Sequence, residues 1–351
     1  MDDAWEEYWS ALHRGDRHAA LAVVRRLHDA GADPVKIIDG LVMPAQERIG
    51  ELWLEGEWSI AEEHAATAIN EGLVHWLCSF AESPASDAPL VVVSCLERER
   101  HAFPALVVAE TLMIAGYRVN YVGSDPEPGD LLRQILTLKP RAVLFSASLT
   151  SSLAGQKSLL GSIRAIGIPV VVGGRAFGGD DRRALALGAT AHARGIDDVL
   201  RLLADLPPGR EPGQSMSLGP ADEEAAWVLE YAGEIAPYVL RAIAHRHEHD
   251  LEWPPWWTEF ESHMDHVVGC LAAALVTGDE TIMVEVRDWM TQVLARRGAD
   301  AGLVGEIWEL LAEPLRARPL ARLYSPARPL QLVWPRPAEG RQNGSTSRAT
   351  P

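Results

Sequence analysis

A carboxylate and a histidine two residues apart, Glu99 and His101, follow a short apolar run that ends at Cys95. A carboxylate in that position can accept a hydrogen bond from one ring nitrogen of the histidine. Such a bond orients the ring and raises the basicity of the other nitrogen toward a metal. The spacing therefore favours His101 as a metal ligand with Glu99 as its partner. The alternative is a solvated loop histidine that binds nothing.

A second group of residues combines an aromatic ring, an acid and an imidazole: Trp53 is followed, after nine residues, by Glu63 and His64. The local pattern places Trp53 in the last turn of one helix and the other two in the first turn of the next, so all three can face one surface. The alternative is structural: Trp53 in the core, Glu63 complementing the helix dipole, and His64 solvated.

The elements around this second group are helical. Residues 1–83 carry apolar side chains at helical spacing and predict four helices in a small antiparallel bundle. Ser59 and Glu62 have the spacing of a capping box, which predicts a helix from Ile60 to about Phe80.

Residues 89–206 change to strand–helix alternation, which predicts a parallel sheet covered on both faces. Five strands fit the flavodoxin-like order 2-1-3-4-5, with a ligand crevice at the carboxyl ends of the strands. The predicted strands are 90–95, 119–123, 142–148, 170–174 and 190–195. Three of their ends carry candidate binding residues, which are Glu99 and His101, Ser146 and Ser148, and Gly173 and Gly174.

Together these strand ends resemble the cobalamin-binding domain of methionine synthase and its relatives, which carries D-x-H-x-x-G, S-x-L and G-G. The resemblance implies that His101 is the lower axial ligand of cobalt and that Glu99 is its partner. It also implies that the benzimidazole tail of the cofactor passes Ser146 and the Gly173–Gly174 pair. The sequence departs from the motif in three places: Glu99 replaces Asp, Pro104 replaces Gly, and Ser148 replaces Leu.

Directly before such a domain, Trp53, Glu63 and His64 resemble the W-x9-E-H signature of the CarH-type photoreceptors, which use adenosylcobalamin. The resemblance implies that Trp53 packs on the adenosyl group, that Glu63 hydrogen-bonds it, and that His64 is a second candidate ligand of cobalt after photolysis. CarH-type regulators begin with a basic DNA-binding domain, whereas this chain begins at the bundle and has a net charge of −17. We therefore expect no nucleic-acid partner.

Residues 207–222 are rich in proline and glycine and predict a linker that separates two independent cores, and residues 325–351 predict a disordered tail. Between them, residues 223–324 are expected to be helical, with helices at 223–249, 258–277, 279–297 and 300–316. This part of the chain and the tail hold seven of the twelve tryptophans, namely Trp227, Trp253, Trp256, Trp257, Trp289, Trp308 and Trp334. Five histidines accompany them, namely His245, His247, His249, His263 and His266.

The order of cap, cobalamin domain and helical domain resembles the photocobilins, in which a globin-like domain binds a bilin. By that resemblance residues 223–324 are a globin-like domain for biliverdin or a related bilin, with Trp256, Trp257 and His263 as candidate pocket residues. Cys270 is either a thioether attachment point or a buried thiol, and the buried thiol is favoured. The alternatives are a haem site through His263 or His266 and a helical dimerisation domain.

Composition limits the other possibilities. The 351 residues hold three cysteines, no apolar run long enough to span a membrane and no leader-like start, so a cytoplasmic protein without a membrane partner is expected. We predict a sensor without catalytic residues, which binds adenosylcobalamin and a bilin, forms a homo-oligomer such as a dimer and signals to an unknown effector protein. A corrinoid methyl carrier and a haem-based sensor are the alternatives.

Overall fold

The structure, a computed structural model, describes residues 2–206, 218–247 and 253–316. Most of the predicted linker, the predicted tail at 325–351, His249 and Trp334 lie outside the described residues. The part of the linker that is described differs from the prediction, because helix α11 begins at Pro220 rather than at residue 223.

The N-terminal part of the chain is the predicted bundle. Its helices are α1 (Asp2–His13), α2 (Arg17–Asp29), α3 (Pro34–Ile37), α4 (Met43–Leu54) and α5 (Ile60–Cys78). A π-helical turn, Ile38–Val42, joins α3 to α4, so these two form one continuous arm. Pro44, the second residue of α4, has no N–H to donate, which explains why the regular hydrogen-bond ladder is interrupted there.

The predicted capping box starts α5 and is confirmed. The backbone N–H of Glu62 donates to the Ser59 hydroxyl at 3.3 Å, and the N–H of Ser59 donates to the Glu62 carboxylate at 2.8 Å. The two bonds satisfy amides that the first helical turn leaves free. The start of α5, where Glu63 and His64 lie, is thereby fixed.

The middle of the chain is a five-stranded parallel sheet with the predicted order β2-β1-β3-β4-β5. Its strands are β1 (Leu90–Cys95), β2 (Arg118–Gly123), β3 (Ala142–Ser146), β4 (Val170–Gly173) and β5 (Ala191–Ala193). Its helices are α6 (Phe103–Ile114), α7 (Pro128–Leu138), α8 (Lys157–Ala165), α9 (Arg182–Ala186) and α10 (Ile196–Asp205). Cys95 pairs with Ser146 and Ser146 with Gly173, so the ends of β1, β3 and β4 lie side by side.

The bundle packs on this domain through helix α6. Phe103, Leu106 and Val107 of α6 are buried in the same apolar cluster as the bundle helices. A polar contact adds to it, because the Nδ1 of His75 lies 2.6 Å from the carboxylate of Glu110, which is buried. The cap is therefore seated on the helix that follows the Glu99–His101 loop.

The described residues of the C-terminal part form five helices: α11 (Pro220–Glu230), α12 (Ala232–Arg246), α13 (Trp256–Thr277), α14 (Thr281–Arg296) and α15 (Leu303–Arg316). The predicted helix 223–249 is thus two helices, which meet at Tyr231. Helix α13 is the central one, and every residue from Val267 to Thr277 on it is buried. None of the described helices is long and apolar enough to cross a membrane.

The C-terminal helices do not form a core of their own. Their buried residues belong to one continuous apolar cluster with one face of the sheet and helices α7 to α9. A buried ion pair reinforces the contact: Arg183 on α9 is bonded to the buried Asp279 at 2.7 Å, and it also bonds the exposed Glu285 at 2.6 Å. The expectation that the linker separates two independent cores is therefore wrong, because α13 needs the sheet domain to cover its apolar face.

Candidate functional site

The Glu99–His101 pair lies in the loop after β1. The Nδ1 of His101 lies 2.8 Å from the Glu99 carboxylate, and the backbone N–H of His101 donates to the same oxygen at 2.7 Å. Asp125 fixes the loop from outside, because its carboxylate accepts the Arg98 amide at 2.7 Å and its own amide donates to the Glu99 carbonyl at 3.0 Å. The predicted orientation of the imidazole by Glu99 is therefore present.

Glu99 is held on its other side by the loop after β3. Its second oxygen accepts the backbone N–H groups of Ser148 at 2.6 Å and Leu149 at 2.7 Å. Burial acts to raise the pKa of Glu99, but the hydrogen bonds from His101 and the Leu149 amide outweigh it and lower the pKa. The buried carboxylate is therefore ionised at neutral pH and fixes the side chain of His101.

The arrangement leaves one face of His101 available for a ligand. Glu99 is fully buried, whereas 48% of the His101 side chain is exposed. With Nδ1 bonded to Glu99, the Nε2 atom has no hydrogen-bond partner within the described part of the chain. An oriented, basic, accessible imidazole nitrogen is what an axial ligand of cobalt requires, so these residues fit a corrinoid.

The two glycines at the end of β4 lie against protein backbone. A Cβ atom on Gly173 would lie 2.9 Å from the carbonyl oxygen of Ala193, and one on Gly174 would lie 2.3 Å from that of Ala147. Gly174 also has a φ of +99°, a conformation that other residues rarely adopt. Close contact between strand ends therefore accounts for both glycines, and their role toward a cofactor tail stays a prediction.

The cap residues occupy the predicted helix ends. Trp53 lies in the last turn of α4, and Glu63 and His64 lie near the start of α5. His64 is 73% exposed and its Nε2 lies 3.5 Å from the carboxylate of Glu63, which is only 23% exposed. The acid and the imidazole are therefore adjacent, and their role toward a cofactor stays a prediction.

Trp53 contacts residues of the C-terminal helices that its sequence neighbourhood did not indicate. Its ring centroid lies 5.7 Å from that of His263 and 6.4 Å from that of Trp289. The Arg297 guanidinium lies 5.6 Å from the same ring centroid and donates to the Trp53 carbonyl at 3.4 Å. His263 thus lies against the cap, whereas the resemblance to photocobilins predicted it beside Trp256 and Trp257.

The other candidate bilin residues lie at the start of α13. Trp256 is 6% exposed and packs near Phe260, with ring centroids 6.1 Å apart. Trp257 is half-buried and stacks on Trp253, which is exposed, at 4.3 Å. Cys270 is fully buried, and burial raises the pKa of its thiol. The preference for a buried thiol over a thioether fits this placement.

Comparison with known proteins agrees with this geometry. Residues 4–77 match a family model described as a B12 binding domain, and residues 89–204 match a second model with the same description. The chain therefore contains a helical and an α/β B12-binding domain.

Similar proteins include corrinoid proteins and a transcriptional repressor. The trimethylamine corrinoid protein of Methanosarcina barkeri is 26% identical over 156 residues, which is 44% of this chain and 72% of that protein. The HTH-type transcriptional repressor CarH of Myxococcus xanthus is 29% identical over 150 residues, which is 42% of this chain and half of that protein.

A solved structure shares the fold of the first two domains. The monomethylamine corrinoid protein of Methanosarcina barkeri aligns over 58% of this chain and 99% of its own length, with a TM-score of 0.52 and 17% identity.

Proposed function

We propose that the protein is a light sensor that binds adenosylcobalamin between the helical cap and the α/β domain. The observation that carries the proposal is the Glu99–His101 pair: a buried, ionised carboxylate orients an imidazole whose Nε2 is accessible at the carboxyl end of β1. A bound adenosylcobalamin supplies a cobalt–carbon bond that visible light breaks. In this proposal His101 is the lower ligand, and Trp53, Glu63 and His64 face the upper side.

The contacts of Trp53 support a sensor. Trp53 belongs to the cap but packs against His263, Trp289 and Arg297 of the C-terminal helices. A change on the upper side of the cofactor that alters the position of Trp53 also alters its contacts with these helices. Light would then shift the population between two arrangements of the cap and the C-terminal helices.

A corrinoid methyl carrier is the second candidate, and the trimethylamine corrinoid proteins among the relatives favour it. A methyl carrier must expose its cobalt to a partner methyltransferase. Here the contacts between Trp53 and the C-terminal part of the chain hold one edge of the cap in place. Because a cap held in this way is less free to move away from the cobalt, the contacts favour the sensor.

The proposal includes a bilin such as biliverdin in the C-terminal helices, which we expect to act as a globin-like domain. The support is the aromatic segment at the start of α13, where Trp253 stacks on Trp257 and Trp256 is tilted against Trp257. Aromatic rings gathered in this way are of the kind that hold flat chromophores. The haem alternative uses His263, whose Nδ1 is bonded to the backbone carbonyl of Glu259 at 2.7 Å.

Absorption spectra of the purified full chain test the proposal. The protein is loaded in the dark with adenosylcobalamin and biliverdin, separated from free ligand and illuminated with green light. We expect a bound alkylcobalamin spectrum that changes irreversibly on illumination, and a separate far-red band. The methyl carrier would be supported instead if the bound corrinoid transfers a methyl group and illumination leaves the conformation of the cap unchanged. A Soret band after expression would support haem.

A further inference from the structure

Helix α13 contacts both sides of the proposed cobalamin site within a single turn. The ring of His263 packs on Trp53 of the cap, with centroids 5.7 Å apart. The Nδ1 of His266 lies 2.8 Å from the hydroxyl of Ser151, in the loop after β3. Residues three apart lie on the same face of a helix, so one face of α13 joins the cap to the α/β domain.

Ser151 is close in the chain to the amides that hold Glu99. The N–H groups of Ser148 and Leu149 donate to the Glu99 carboxylate, and Ser151 lies in the 3-10 turn that follows, Thr150–Leu153. A displacement of this turn therefore changes two of the hydrogen bonds that orient Glu99. Glu99 in turn orients His101.

The contact between α13 and the turn is tight. A Cβ atom on Gly269 of α13 would lie 2.6 Å from the Cβ of Ser151 and 3.4 Å from its Cα. His266 is half-buried, and its Nε2 lies 3.4 Å from the Cys270 sulfur, so both ring nitrogens of the imidazole face protein atoms. Because there is no free space at this contact, α13 and Ser151 move together.

We propose that Ser151 and His266 are a positioning pair, through which the C-terminal helices set the geometry of the Glu99–His101 ligand and so the affinity for the corrinoid. This inference rests on the proposed function, because it takes His101 as the cobalt ligand. The coupling is reciprocal: a corrinoid on His101 must stabilise α13 to the extent that α13 favours binding of the corrinoid.

Binding of hydroxocobalamin to full-length variants tests the pair. Ser151→Ala and His266→Asn each remove one partner, and we expect each to weaken binding about three- to ten-fold, as loss of one hydrogen bond does. We also expect the spectrum of the bound cofactor to shift toward that of a cofactor without a histidine ligand. A merely structural contact would change stability but not the spectrum of the fraction that binds.

A matched pair of glycine substitutions tests the packing. Gly269→Ala places a methyl group on Ser151, whereas Gly233→Ala, in helix α12, meets no atom within 4 Å. We expect weaker binding only for Gly269→Ala, whereas Gly233→Ala should bind as the wild type does. If Gly269→Ala does not fold, Ser151→Ala and His266→Asn decide.

Hydrogen exchange gives a second readout. We expect hydroxocobalamin to slow exchange in α13 of the wild-type chain and to leave α13 unchanged in His101→Ala. A wild-type chain that binds no cobalamin overturns the proposed function and this inference together. A wild-type chain that binds, with Ser151→Ala and His266→Asn identical to it in affinity and spectrum, overturns this inference alone.

Discussion

Trp53 and Arg297 lie 244 residues apart in the chain, yet the guanidinium of Arg297 lies 5.6 Å from the centre of the Trp53 ring and bonds its backbone carbonyl. Arg297 is itself held by Glu259, with Nε and the carboxylate oxygen 3.2 Å apart. Trp53, which we place above the cofactor, is therefore held by contacts with the C-terminal part of the chain. A change in the position of Trp53 must alter these contacts.

Trp53→Ala should weaken the binding of adenosylcobalamin more than that of hydroxocobalamin, because only the former carries the upper group on which Trp53 is proposed to pack. Titration of both cofactors in the dark measures the difference. Arg297→Ala is the comparison, since it keeps the ring but removes the cation–π contact, worth about 0.5–1 kcal/mol, together with the bond to the Trp53 carbonyl. We expect a smaller difference between the two cofactors for it than for Trp53→Ala. An equal loss for both cofactors in Trp53→Ala would indicate a folding defect in the bundle instead.

Glu99→Gln should lower cobalamin affinity about 10- to 100-fold, which is the usual effect of losing the partner of a ligating histidine. Each oxygen of Glu99 accepts bonds from N–H donors, and the amide nitrogen of glutamine would face such donors on one side. Glu97→Gln, in the same loop, is the control. If equilibrium dialysis gives the same cobalamin affinity for both variants, Glu99 has no role in cobalamin binding.

Arg183→Met should destabilise the protein by about 3–5 kcal/mol, because it leaves the buried carboxylate of Asp279 without its partner. Chemical denaturation followed by circular dichroism measures the loss. Arg182→Ala is the control, since its side chain is largely exposed and lies farther from the same carboxylate, at 3.8 Å, so we expect little change. A small effect for both would mean that the contact between the sheet domain and the C-terminal helices does not depend on these charges.

Acid should destabilise the protein through His266. Burial, with His263 nearby, lowers the pKa of His266 from 6.5 to about 4, while Glu99 opposes this change. The unfolded chain therefore takes up the proton first as the pH falls. The contribution of His266 to the free energy of unfolding is fully present above the pKa of His266 in the unfolded chain. It declines as the pH falls below that value and is lost once the pH is below the pKa of His266 in the folded chain.

The urea midpoint should thus fall between about pH 7 and about pH 5, and His266→Asn should flatten this dependence relative to the wild type. An unchanged slope in the variant would show that groups other than His266 carry the acid sensitivity.

Local patterns in the sequence were sufficient for the bundle and the sheet. The Ser59–Glu62 spacing places the start of α5, and strand–helix alternation gives the strand order, because both depend on neighbours in the chain. The Glu99–His101 contact also follows from a spacing of two residues.

The contacts of the C-terminal helices could not be predicted in this way. Ser151 and His266 are 115 residues apart, and neither has a local pattern that marks the contact. Gly269 is one small residue in an alanine-rich helix, and only the packed structure shows that a Cβ would strike Ser151. The proline- and glycine-rich linker suggested two independent cores. Linker composition indicates chain flexibility, but it does not show which apolar faces pack against each other.

The central claim is that His101 supplies the lower ligand of cobalt. Electron paramagnetic resonance of the full chain carrying cobalt(II) cobalamin tests it most directly, because the nitrogen on the axis of cobalt splits the signal. With histidine labelled by ¹⁵N, the three-line splitting from ¹⁴N should become two-line, and His101→Ala should lose this change. A three-line splitting that persists in the labelled protein would show that the cofactor's own base, or another nitrogen, ligates the cobalt, and would contradict the account.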